Sequence, residues 1–160
     1  MLIIADSSPL ITLSICEALP LLEQLFQTVK VPSYVFGEVI LEGKPQAKSL
    51  RAYLRDKVVT VAVEEILVTS AILGRGELEA MALYKKLHAN LLLVDDRDAR
   101  KIARLNGIQI IGSLGILLLA KQQGLIMEVA PLIAKIQEAH IFIGEELIRL
   151  VLQRAGELVS

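Results

Sequence analysis

Residues 2–10 read LIIADSSPL. A short apolar run heads for a core and then stops on one carboxylate, Asp6, with Ser7, Ser8 and Pro9 behind it. Much later NLLLVDD, residues 90–96, does the same and ends on Asp95 and Asp96. Uninterrupted apolar runs of this length are the signature of strands buried on both faces. Both runs therefore predict strands of a covered sheet whose carboxyl ends carry acids.

Helical patterns fill the chain around them. PLITLSICEALPLLEQLF has apolar residues at helical spacing, and Pro20 divides it into two helices. VKV is a very short strand, and Pro32 suits the first turn of the helix in SYVFGEVIL. AKSLRAYLRD is amphipathic and VVTVAV alternates like a strand. GRGELEAMALYKKLHA opens on glycine with acids in its first turn. RDARKIARLNG is a helix stopped by Asn106 and Gly107. IQII is a further strand, and SLGILLLAKQQG a helix with Ser113 as N-cap and Gly124 as its stop. Two more helices follow, in APLIAKIQEA and GEELIRLVLQRA. Strands alternating with helices predict an α/β fold with a central parallel sheet. Ligands of such sheets bind beyond the carboxyl ends of the strands.

The chain has 160 residues, the size of one domain with a full core. We read residues 1–160 as a single domain, with a helical tail from about 128 to 160. Hydrophobic residues make up 54% and mean hydropathy is +0.57. Many elements should thus be buried on more than one side, or a surface pairs with another chain. No window is long and apolar enough to span a bilayer, and no basic region precedes the first apolar run. One cysteine, Cys16, excludes an internal disulfide and a cysteine-based zinc site, so a reducing cytoplasm is expected. The net charge of −1 gives no bulk attraction to nucleic acid. Any such role must rest on local patches.

Candidate carboxylates come from four regions: Asp6; Glu38; Glu77 with Glu79; and Asp95, Asp96 and Asp98. Hard divalent cations such as Mg²⁺ and Mn²⁺ take oxygen ligands and keep water, and they make converging carboxylates tolerable. Paired metals can activate a water and stabilise the leaving oxygen of a phosphodiester without a His, Cys or Ser. Each acid also has a plain alternative. Asp6 and one of Asp95 and Asp96 suit helix caps, Glu38 suits a solvated helix face, and Glu77 and Glu79 favour the macrodipole of a first turn. Cys16, His88 and His140 read as ordinary structural residues.

ADSSPLI, VPSYVFGEVI, GRGELEAMAL, LLLVDDRDARKIA and IIGSLGILLLAKQQGLI, in this order, resemble the PIN domain family of metal-dependent ribonucleases. The likeness covers nearly the whole chain. It is closest to the small prokaryotic branch similar to VapC toxins, and within it to DUF3368. It implies a three-layer α/β/α fold with a central parallel sheet and four acids around Mg²⁺ or Mn²⁺. Carried over, Asp6 takes the first acid position, Glu38 the second, Glu77 the third with Glu79 as alternative, and Asp95 the fourth. Asp98 would assist through a metal-bound water, Asp96 rivals both of these, and Ser8 stands where the family places a small polar residue behind the first Asp. The resemblance also implies an RNA substrate, and it makes an antitoxin protein a candidate partner. The Glu in the third region, the double Asp in the fourth and the longer helical tail depart from typical VapC toxins.

Two basic rows could hold phosphates. Lys44, Lys48, Arg51 and Arg55 share a face if helical, and Arg97, Arg100 or Lys101, and Arg104 begin beside the acids. Tyr34, Phe36, Tyr53 and Tyr84 are the candidate stacking aromatics. A dinucleotide-binding domain lacks its GxGxxG after the first strand. A receiver domain would want its paired acids first, and an Asp-nucleophile phosphatase would want an Asp at position 8. The rival of another class is a non-catalytic PIN-like interaction module. A homodimer is expected, because GEELIRLVLQRAGEL is amphipathic enough to form a contact.

Overall fold

Leu2–Ala5 forms β1, the middle strand of the sheet. A computed structural model describes residues 1–62 and 73–158. Within them lie β2 (Thr28–Pro32), β3 (Val58–Val59), β4 (Leu91–Leu93) and β5 (Ile110–Ile111). The order is β3-β2-β1-β4-β5 and every pairing is parallel. The chain steps outward from β1 through β2 to β3, then returns to the other side of β1 for β4 and β5. Connections of opposite direction thus diverge between β1 and β4, which makes that crevice the switch point where such sheets bind ligands.

Side chains alternate across the sheet. Ile3, Ala5 and Leu93 face one core cluster, which holds residues of α1 (Ser7–Ile15), α2 (Pro20–Phe26), α3 (Ser33–Val39), α4 (Ala47–Leu54), α7 (Ser113–Gln122), α8 (Ala130–Glu138) and α9 (Glu145–Arg154). Ile4, Leu92 and Val94 face the other, under α5 (Arg75–Leu87) and α6 (Arg97–Leu105). Nine helices among the described residues therefore flank a five-stranded parallel sheet in three layers, the α/β/α arrangement expected. Both faces of the strands are covered, so LIIA and LLL can be apolar throughout. No single helix among the described residues is long and apolar enough to cross a membrane; α1 and α2 together have the length but bend by 114°.

Three local expectations change. The strand expected over VVTVAV pairs only at Val58–Val59, because β2 ends at Pro32 and offers no further backbone; Val63 lies outside the described residues. Pro32 closes β2 as the cap of α3 and is not inside the helical turn. Gly112, not Ser113, caps α7, since the Ser113 side chain is engaged elsewhere.

Candidate functional site

Asp6 follows β1 directly, and its backbone N–H donates to the Leu93 carbonyl of β4 at 3.0 Å. Its extended backbone continues the alternation of the strand, so it shares the side of Ile4, the α5 side. The residue is only 4% exposed, and it is not spent on capping α1, since its carboxylate makes no side-chain cap hydrogen bond. Burial pushes its pKa up to about 7. The Ser7 amide pulls in the other direction, and the charges of Glu77, Glu38 and Asp96 add to the rise. No cation pairs with Asp6 among the described residues. The structure thus brings together acids from four places: the end of β1, α3, the first turn of α5, and the loop between β4 and α6.

Each of the other three is fastened by one oxygen. Glu38 Oε1 accepts the Ser7 hydroxyl at 3.1 Å. Gly76 permits this placement, because a Cβ there would collide with the same oxygen. Glu77 Oε2 accepts the Gly74 amide at 3.3 Å across the start of α5. Burial raises the Glu77 pKa, with Asp96, Glu38 and Asp98 adding to the rise against the Gly74 bond. Asp96 caps α6, with Oδ2 accepting the Ala99 amide at 2.9 Å. Among the described residues the second oxygen of each carboxylate is uncommitted.

Asp95, expected as the fourth acid, and Glu79, the alternative for the third, are committed on both oxygens. Asp95 Oδ1 accepts the Ser113 amide at 2.7 Å and its Oδ2 accepts the Ser113 hydroxyl at 2.8 Å. Asp95 therefore ties the end of β4 to the start of α7. Glu79 is 3% exposed, accepts Arg75 Nε at 2.8 Å and receives the Tyr34 amide at 3.4 Å. It locks α5 to the start of α3. Strand alternation gives the reason for the split at 95 and 96: Asp96 falls on the side of Val94 and Asp6, and Asp95 on the side of Leu93 and α7.

The remaining expected residues lie around this cluster. Asp98 is exposed in the first turn of α6, within electrostatic range of Glu77. Ser8 is exposed on the rim, and its neighbour Ser7 carries the hydrogen bond to an acid instead. The basic row divides. Arg97, Lys101 and Arg104 share an exposed cleft with Asp98, whereas Arg100 turns in beside Gly112. Lys44, Lys48, Arg51 and Arg55 are all exposed, with only the middle two inside α4. Cys16 is buried and burial pushes its thiol up to about 11, which leaves it unreactive. Ser7, Gly76 and an exposed Phe142 escaped the sequence reading. A glycine directly before Glu77, inside the first turn of a helix, was the available signal for Gly76.

Oxygen donors alone, gathered without a counter-cation, suit a hard divalent ion. Among the described residues no three His, Cys, Asp or Glu side chains close to direct-ligand spacing. A cation held here would therefore keep much of its water shell, as Mg²⁺ does.

No curated protein matches the chain. The family model DUF3368, described as PIN domain, matches residues 2–157. PIN domains are in general nucleases and typically use divalent metals. With its three-layer parallel sheet and a match over almost its full length, the chain belongs to the PIN domain family.

Proposed function

We propose that this protein is a Mg²⁺- or Mn²⁺-dependent endoribonuclease whose acids are Asp6, Glu38, Glu77 and Asp96, with Asp98 on the outer edge. The observation that carries the reading is the cluster at the β1/β4 switch point, where buried Asp6 is pushed to about 7 beside three acids that each keep one oxygen uncommitted. A bound divalent cation would supply water activation and charge neutralisation at the leaving oxygen. The chain's own part is positional. Ser7, Gly74 and Ala99 each hold one carboxylate oxygen, which fixes the direction of the other. Asp95 keeps the β4 end seated on α7, so Asp96 stays turned to Asp6. Arg97 and Arg100, three residues apart in α6, would hold the RNA backbone.

Calorimetric titration with Mn²⁺ should show saturable binding to the wild type that Asp6→Asn removes. A single-stranded RNA should be cut in the same buffer, and EDTA should stop the cutting. Metal binding without cleavage, or cleavage indifferent to EDTA, would remove the reading. On the resemblance to VapC toxins, we place the chain as the toxic member of a toxin–antitoxin pair. Its expression should then arrest growth and Asp6→Asn should relieve the arrest; unaffected growth would remove the pairing.

A further inference from the structure

Beside the acid cluster, and sharing Asp96 with it, lies a cleft of about 640 Å³. That volume is within the range of small-ligand sites, about 300–1,000 Å³. Ser8 and Asp96 stand on its near edge, and the start of α7 forms its floor. Its far wall is the segment from Ile141 to Arg154, part of the helical tail. The wall is apolar where it is most open. Phe142 is 92% exposed, Leu147 47% and Leu150 42%. An aromatic ring left that open contributes almost nothing to the core, so its use must lie in a contact.

Charge frames the apolar wall. Arg100 and Arg154 line the cleft, and Arg97, Lys101 and Arg104 continue past its rim along α6. None of these five cations is in an ion pair among the described residues. Stacking surface bracketed by unpaired cations is the pattern that holds a single nucleic-acid strand, with the base on the ring and phosphates on the cations. A groove for an apolar protein segment would not need guanidinium groups at its two edges, nor would it need to open onto an acidic centre. A duplex keeps its bases stacked inside and has none to offer.

We propose that this cleft is a nucleotide subsite, in which an unpaired base of an RNA strand stacks on Phe142 while Arg100 and Arg154 hold the flanking phosphates. The placement next to a cut phosphodiester rests on the ribonuclease reading above; the binding itself does not.

The chain contains no Trp, so Phe142→Trp gives a single reporter at the subsite. In EDTA, a short single-stranded oligoribonucleotide should quench its fluorescence saturably, and a duplex of the same sequence should not. Arg154→Ala in that background should weaken the titration roughly tenfold. Phe142→Ala should weaken binding by a similar factor in anisotropy measured with a labelled oligonucleotide, without lowering the melting temperature, because the ring is outside the core. Quenching without any metal-dependent cleavage would support the subsite while removing the ribonuclease reading. Metal-dependent cleavage with an unresponsive tryptophan would overturn the subsite. So would Phe142→Glu that turns a dimer into a monomer in sedimentation yet leaves oligonucleotide affinity unchanged, which would assign the face to contact between two copies.

Discussion

The Glu38 carboxylate occupies the space that a side chain at residue 76 would fill. Two residues of different helices are thereby linked by an absent methyl group. Gly76 sits in the first turn of α5, where alanine would ordinarily be the better helix former by about 0.5–1 kcal/mol.

Gly76→Ala sets these terms against each other. The helix gains its propensity, while Glu38 must swing away and lose the Ser7 hydrogen bond, worth about 1 kcal/mol. The melting temperature should therefore change little. Mn²⁺ affinity in calorimetry should fall about tenfold or more, as it does when the residues supporting ligands are removed. Unchanged metal affinity in a folded Gly76→Ala protein would separate Glu38 from the metal site.

Asp6 makes stability depend on pH in a direction opposite to most carboxylates. Its folded pKa, about 7, lies above the ordinary 3.8, so the folded state keeps the proton longer than the unfolded chain. The contribution is greatest below the unfolded value, declines as pH rises between about 4 and 7, and is constant above that window. The span of roughly three pH units corresponds to at most about 4 kcal/mol. In EDTA at pH 8, Asp6→Asn should melt several degrees above the wild type, and the difference should vanish at pH 4. Excess Mn²⁺ should raise the wild type and not the variant. Parallel melting curves across the pH range would show that burial imposes no such load on Asp6.

Much of this architecture could be seen in the residues themselves. Apolar runs and helical spacing placed nearly every element, because both faces of the sheet are covered and the periodicities are undisturbed. Acids at the ends of β1 and β4 marked the switch point for the same reason. The direction of individual carboxylates was harder to read. Asp95 and Asp96 are neighbours of identical chemistry, and only the alternation inherited from Leu93 and Val94 separates them. Glu77 and Glu79 differ by about 200° around a helix of 3.6 residues per turn, yet which one faces Asp6 depends on where α3 packs. Ser7, rather than Ser8, meets an acid because Glu38 approaches from α3, a long-range contact with no local signature.

Asp95 and Asp96 should part company in a double comparison. Asp95→Ala removes two hydrogen bonds to Ser113 and should destabilise by about 1–3 kcal/mol in urea unfolding. Asp96→Asn keeps a good helix cap, so stability should hold within about 0.5 kcal/mol. Metal affinity should behave in the reverse sense, collapsing in Asp96→Asn and surviving in Asp95→Ala at temperatures where that variant is folded. If Asp95→Ala abolished Mn²⁺ binding while folded, the fourth acid would be Asp95 after all.

The third position can be settled by the same logic at α5. Glu79→Gln leaves a buried amide facing Arg75 and the Tyr34 N–H, and its uncharged oxygen can satisfy only one of them. A loss of about 1–3 kcal/mol is expected, with Mn²⁺ affinity kept. Glu77→Gln removes a charge whose pKa burial and its acidic neighbours already raise. At pH 8 without metal that change should be neutral or stabilising, since it relieves repulsion from Asp96, Glu38 and Asp98. With Mn²⁺ the stabilisation seen in the wild type should be lost. Calorimetry and thermal unfolding of the two variants, side by side, read out both quantities. Retained Mn²⁺ affinity in Glu77→Gln, with loss in Glu79→Gln, would exchange the roles of the two residues.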